Sequence, residues 1–125
     1  MNTQAPVLIM AGGTGGHIFP GLAVADCLRA QGVSVVWLGA VGGMETKVVP
    51  AQRIELHTVA VGGLRGKGLK TRLLAPLMLA RALYASLVIL CKVKPRSVLS
   101  MGGYVAGPGG LAAWLLRRPL LVHEQ

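Results

Sequence analysis

Acidic residues are nearly missing from this chain. Of 125 residues only Asp26, Glu45, Glu55 and Glu124 carry a carboxylate, against thirteen Lys and Arg, and the formal net charge is +9. No acid falls between Glu55 and Glu124, whereas ten of the thirteen basic residues do. A field of one sign favours an anionic partner: phospholipid headgroups, a phosphorylated substrate or nucleic acid. Aromatics are scarce too, at 4%, and no recognised nucleic-acid-binding motif accompanies the charge, which removes the last of these. Only two cysteines occur, Cys27 and Cys91, isolated and without metal-ligand spacing. That excludes a disulfide framework and suits a reduced, cytosolic setting with both thiols as packing residues. The first six residues lack a basic segment leading into a long apolar run, so no signal peptide is expected.

Apolar residues, at 53%, and 18 glycines fill the space the acids leave. The length suits one small globular domain. Residues 7–10 form a short apolar run ending in glycines, the pattern of a buried parallel strand. A helix is expected over 22–30, with Pro20 at a tolerated first-turn position and Gln31-Gly32 closing it. Beyond it the pattern predicts a strand over 34–38, a short helix over 44–49 stopped by Pro50, and a strand over 54–61. A basic glycine loop (62–68), a long apolar helix (71–93) and a strand (97–101) come next. A second glycine loop (102–110), a helix (111–116) and a last strand (120–122) complete the chain. Alternating strands and helices imply an α/β fold with a Rossmann-like parallel sheet and right-handed crossovers. In such sheets ligands bind at the carboxyl ends of the strands, near the point where strand order reverses. Both glycine-rich loops that follow apolar strands fall on that edge.

The richest motif is Ala11-Gly12-Gly13-Thr14-Gly15-Gly16-His17, a glycine loop between a strand and a helix. Backbone N–H groups at a helix N-terminus can approach a phosphate there, and the helix dipole favours negative charge. It is not the dinucleotide fingerprint. Ile18 stands where the third glycine belongs, and Leu38-Gly39-Ala40 supplies no acid at the end of the second strand. The alternative is a tight turn alone. Met101-Gly102-Gly103-Tyr104-Val105-Ala106-Gly107-Pro108-Gly109-Gly110 repeats the logic, so a diphosphate could be held between two such loops; close helix–strand packing is the alternative. Gly62-Gly63-Leu64-Arg65-Gly66-Lys67-Gly68 imitates a nucleotide-binding P-loop but fails it, with Val61 at the first glycine position and Gly68 replacing the hydroxyl residue. Arg65 and Lys67 either meet anions or decorate a solvated turn. His17 is either a general base or a cap on the helix that follows. His123-Glu124, at the end of the last strand, could bind sugar hydroxyls or form a simple edge pair. Gly42-Gly43-Met44-Glu45 is assigned no role.

Residues 73–91 have the length of a membrane span with a single charge, Arg81. Pro76 and Arg81 interrupt the run, and the flanking strands need it as a crossover, so a span is not the favoured reading. Leu73, Leu77, Ala80 and Leu83 fall on one helical face, and Arg65, Lys67, Lys70 and Arg72 lie just before it. An apolar stripe with a basic collar suits a helix lying on anionic lipid; ordinary core is the alternative.

Taken together, the first glycine motif extended through Ile18-Phe19-Pro20-Gly21-Leu22-Ala23, the stretch Gly63 to Gly68, the stretch Met101 to Gly110 and His123-Glu124-Gln125 resemble the MurG family of bacterial glycosyltransferases, of the glycosyltransferase family 28 type. The resemblance runs through essentially the whole chain. It implies the N-terminal, acceptor-side half of a two-domain GT-B fold. That half would be residues 1–125, ending short of a C-terminal domain that grips UDP-GlcNAc. It implies transfer of N-acetylglucosamine from UDP-GlcNAc to undecaprenyl-diphospho-muramoylpentapeptide (lipid I), giving lipid II for peptidoglycan. No cofactor and no metal are implied. By the resemblance, His17 is the candidate base. Gly12, Gly13, Thr14, Gly15, Gly16, Gly102, Gly103, Tyr104, His123 and Glu124 contact substrate. Leu73, Leu77, Ala80, Leu83 and Trp114 form a membrane patch on the cytoplasmic face of the inner membrane, with Ala80 smaller than such contact favours. The rival expectation is a non-catalytic membrane-associated half of a split transferase, acting as a scaffold.

Overall fold

The computed structural model describes residues 5–12, 15–60, 69–102 and 106–122. Five strands alternate with four helices: β1 (Val7–Ala11), α1 (Gly15–Ala30), β2 (Val35–Ala40), α2 (Glu45–Ala51), β3 (Glu55–Val59), α3 (Leu69–Val93), β4 (Ser97–Gly102), α4 (Ala106–Leu115) and β5 (Leu120–Val122). The strands form one parallel sheet in the order β3-β2-β1-β4-β5. The expected α/β, Rossmann-like class is therefore the observed one.

Strand alternation sends successive side chains to opposite faces. On one face Leu8, Met10, Val36, Leu38 and Val98 pack under Ala82 and Leu90 of α3 and Ala112 and Ala113 of α4. On the other, Ile9, Ala11, Val35, Trp37, Leu99 and Met101 meet Ile18, Leu22 and Ala25 of α1 and Val49 of α2. This two-sided cover explains why β1 and β2 read as unbroken apolar runs: every residue of both is buried. Sheet travel reverses after β3, and the helices change face at the same point, as a constant crossover hand requires.

Helix α2 runs through Pro50 to Ala51 and is not stopped by the proline. Three further features depart from the pattern expected of the sequence. The helix after β1 begins at Gly15, not near Leu22, so Pro20 lies beyond its first turn. Without an N–H, Pro20 leaves the Gly16 carbonyl no α-helical donor. The helix after β4 begins at Ala106, which takes Gly107, Pro108, Gly109 and Gly110 out of the expected loop. At Gly109 a Cβ would collide with the Met10 sulfur and press on Leu38, so this glycine serves close helix–strand packing. In α4 the first-turn N–H groups need no helical partner, so glycine and Pro108 cost little there, whereas α1 has its glycines in the first turn but gives up one backbone bond at Pro20. The third departure concerns Cys27 and Cys91. Both are exposed, not packing residues, because each lies on the solvent side of its helix.

Three helices end on a basic residue in left-handed conformation, Arg53 (φ 59°), Lys94 (φ 51°) and Arg117 (φ 55°). Each sits where glycine is usual, and a cation there complements the negative end of the helix dipole. Arg29 donates to the Gln52 carbonyl (2.7 Å), and Arg96 donates to the Ala5 carbonyl (2.8 Å). Four of the thirteen cations, Arg29, Arg53, Lys94 and Arg117, therefore serve helix C-termini on the amino edge of the sheet, away from the glycine loops.

Candidate ligand-binding edge

Strand order reverses between β1 and β4, so their carboxyl ends flank the crevice where doubly wound sheets take ligands. Gly12 leaves β1 and Gly102 ends β4, and Ala11 pairs with Gly102. Register shifts between Met10 and Ala11, because β4 holds one extra residue, Met101, against them. Gly102 adopts φ 105°, a conformation that a side chain rarely permits. The bulge and the glycine redirect the chain at the switch point, a placement common beside active sites.

Two buried side chains brace the exit of β1. The Trp37 indole N–H donates to the Ala11 carbonyl at 2.9 Å from the face covered by α1. Gly21 lets α1 close over that ring, since a Cβ there would stand 2.7 Å from it. Glu45, in the first turn of α2, is fully buried, and its Oε2 accepts the Ala40 N–H at 3.0 Å. A Cβ on Gly12, Gly39 or Gly43 would strike the Glu45 carboxylate or its methylene. Three glycines, one after β1, one in β2 and one in the turn after β2, thus make room for one acid. Sequence reasoning assigned Glu45 nothing. The available signal was an acid close behind paired glycines, in a chain holding four acids in all.

The other expected site residues distribute as follows. Gly12 is buried at the β1 exit, Gly16 is exposed in the first turn of α1, and His17 follows it in the same turn, directly on the carboxyl edge. Gly15 opens the helix. Gly13, Thr14, Gly103, Tyr104, His123, Glu124, Arg65 and Lys67, and the side chains of His17, Lys70 and Arg72, lie outside the described residues. The structure thus brings Gly12, Gly15, Gly16, His17 and Gly102 to one edge by their backbone positions.

Helix α3 runs from the carboxyl edge back to the start of β4. At about 1.5 Å per residue its 25 residues span about 37 Å, roughly twice the length of the strands it crosses. Ala82, Ser86 and Leu90 face the sheet and are buried. Leu79 falls on the same side yet is 52% exposed, because this end of α3 overhangs the sheet. On the outer face Leu73 (72% exposed), Leu77, Ala80, Tyr84 and Val88 form an exposed stripe. Leu83 is only partly exposed and packs against the core; Tyr84 takes its place in the stripe. Trp114 of α4 is exposed as well, and α3 packs beside α4. Among the described residues Pro76–Val93 is long and apolar enough to cross a membrane, with mean hydropathy 1.6. Its ends, however, are tied to two strands of one sheet.

A parallel sheet with its order reversed beside two glycine-bearing strand exits defines an open, doubly wound α/β domain, a class whose members take ligands at the switch point. Residues 7–125 match the family model for the glycosyltransferase family 28 N-terminal domain, and the chain belongs to that family. It is 62% identical over 120 residues to the UDP-N-acetylglucosamine--N-acetylmuramyl-(pentapeptide) pyrophosphoryl-undecaprenol N-acetylglucosamine transferase of Alkalilimnicola ehrlichii, covering 96% of this chain and 34% of the relative. The Xylella fastidiosa enzyme of the same name is 59% identical, with 96% and 33% covered. The crystal structure of Acinetobacter baumannii MurG superposes with a TM-score of 0.82 at 42% identity, over 94% of this chain and 34% of that one. A Listeria monocytogenes protein described as a UDP-N-acetylglucosamine 2-epimerase shares the fold alone, with a TM-score of 0.67 at 17% identity, over 97% of this chain and 31% of that one. The chain spans about a third of the length of the curated relatives it matches.

Proposed function

We propose that this chain is the acceptor-binding half of an inverting transferase that moves N-acetylglucosamine from UDP-GlcNAc to lipid I, forming lipid II. Identity of 62% across 96% of the chain to a transferase of that name carries the reading. In the proposed step His17 takes the proton of the muramoyl 4-hydroxyl. The oxygen attacks the anomeric carbon of GlcNAc on the face opposite the diphosphate, the glycosidic bond forms, and UDP leaves with the bonding pair. Backbone N–H groups and the α1 dipole at the carboxyl edge offset charge on a diphosphate without needing a metal. Gly12, Gly13, Thr14, Gly15 and Gly16 would line the β1 side of the cleft, and Gly102, Gly103 and Tyr104 the β4 side. His123 and Glu124 would meet sugar hydroxyls.

The test is transfer of labelled GlcNAc to a lipid I analogue by the full-length protein that contains this chain. Residues 1–125 alone are expected to show no turnover under the same conditions. An inactive full-length protein would overturn the transferase reading, and an active fragment would overturn the two-domain account.

The working surface is proposed to be the cytoplasmic face of the inner membrane, held peripherally. The exposed stripe of α3, with Trp114 beside it, supports this. Because α3 overhangs the carboxyl edge, the stripe and the cleft share one end of the domain, where a lipid-linked substrate would arrive. Lys70 and Arg72 begin the same helix, and each cation near an anionic surface contributes about 1 kcal/mol. Leu73→Glu with Leu77→Glu is expected to weaken cosedimentation with anionic vesicles at least tenfold. Turnover of a short-chain, soluble acceptor should stay within about twofold of wild type, since neither residue belongs to the core. Unchanged vesicle binding would remove the patch assignment.

A further inference from the structure

Glu45 is the one buried acid among the described residues, and only half of its carboxylate is accounted for. Oε2 accepts the Ala40 N–H at 3.0 Å, while Oε1 is buried with no hydrogen-bond partner. Burying a carboxylate is costly unless its oxygens are satisfied, and an apolar side chain of this size would fill the space at lower cost. The position in the first turn of α2 offsets part of that cost through the helix dipole. Packing does not explain the remaining oxygen. Its surroundings do point to a role. Gly12 and Gly39 lie against the Oε2 side, and Gly43 lies against Oε1. The turn that carries Gly43 is closed by the Gly43 N–H on the Ala40 carbonyl at 3.1 Å, with Gly42 at φ 78°. The carboxylate is therefore wedged between the β2–α2 turn and the residue at which β1 opens into the ligand-binding edge.

We propose that Glu45 is a positioning residue for that edge: Oε2, held by the Ala40 N–H and lying against Gly12, fixes the β1 exit against the end of β2, and Oε1, on the Gly43 side, accepts an N–H or O–H donor that arrives beside the β2–α2 turn when ligand is bound. The carboxylate then acts through Gly12, setting how closely the exit of β1 approaches a diphosphate. It touches no reacting atom. A free acceptor kept dry at a binding edge is a group whose hydrogen bond is completed by occupancy, so ligand affinity depends on it more than folding does.

The inference rests on the transferase reading for its substrate and for the kinetic arm of its test, but not for the pyrophosphate arm. Glu45→Gln keeps the shape and one oxygen for the Ala40 N–H, but turns an amide N–H₂ toward the place of Oε1. In the full-length protein this variant is expected to raise KM for a lipid I analogue about ten- to hundredfold, the range for a lost charge-assisted hydrogen bond, with kcat within about threefold. Its Tm without ligand should stay within a few degrees of wild type. Stabilisation of wild type by inorganic pyrophosphate, read as a shift in Tm, should be lost in the variant. A merely structural role would instead lower Tm and apparent kcat together and leave KM alone; that result overturns the proposal. Unchanged KM and an unchanged pyrophosphate shift overturn it too, since an Oε1 that donates a proton would be replaced well by the amide. If wild type transfers no sugar, the transferase reading fails while the pyrophosphate arm still judges Glu45. Wild type that pyrophosphate does not stabilise, in the absence of transfer, counts against the proposal.

Discussion

Replacing His17 by alanine in the full-length protein, on the proposed transferase reading, is expected to lower kcat by about 10²- to 10⁴-fold, the usual contribution of a general base. The argument starts from position. His17 stands in the first turn of α1, on the strand exit at the centre of the sheet, beside the point where strand order reverses. An imidazole is suited to accept a proton near neutral pH, and an acceptor hydroxyl must lose one as it attacks. The backbone donors around it can hold a phosphate but cannot take that proton. Steady-state kinetics with UDP-GlcNAc and a lipid I analogue decide the matter. A kcat within about threefold of wild type would remove the base assignment and leave His17 as a helix cap.

The second large effect concerns folding. Trp37 is fully buried at the middle of β2, under α1, and its truncation to alanine is expected to cost about 3–5 kcal/mol. The loss has two parts. A large cavity opens between the sheet and α1, and the Ala11 carbonyl loses the indole N–H that holds it at 2.9 Å. Trp37→Phe separates them: it retains most of the apolar volume and should cost about 1–3 kcal/mol, chiefly for the stranded carbonyl. Urea unfolding followed by fluorescence suits the comparison. The chain has two tryptophans, and Trp114 is 69% exposed, so the buried ring supplies most of the signal change in wild type. The alanine variant is better followed by circular dichroism, and a cost under about 1 kcal/mol there would show that the site collapses without penalty.

Much of this architecture was legible in the residues. The runs at β1 and β2 are continuous and apolar because helices cover both sheet faces, and Gly32 marks the end of α1 through the Val33 N–H on the Leu28 carbonyl at 3.0 Å. The starts of α1 and α4 were not legible. Glycine and proline read as loop when counted by propensity, yet burial of Ile18 on one face and the seat of Gly109 on Met10 on the other draw those segments into helix. Tertiary packing outweighs local preference there. The basic bias also pointed too simply at an anion site: Arg53, Lys94 and Arg117 close helices instead. Glu45 escaped notice for a related reason. A single acid in a turn looks like surface until the three glycines that accommodate it are brought together by β1, β2 and the turn after β2.

The two borders of the sheet are defended unequally. The outer strand β3 carries Glu55, His57 and Thr58, with Glu55 and His57 joined at 2.8 Å, and such charged, polar edges discourage unwanted pairing. The opposite border, β5, is Leu120-Leu121-Val122, exposed at all three residues. It offers open backbone hydrogen-bonding groups and uncovered aliphatic side chains together, which is the recipe for strand-to-strand adhesion between copies. Handled alone at high concentration, residues 1–125 are expected to adhere through this flank, as association that grows with concentration in light scattering.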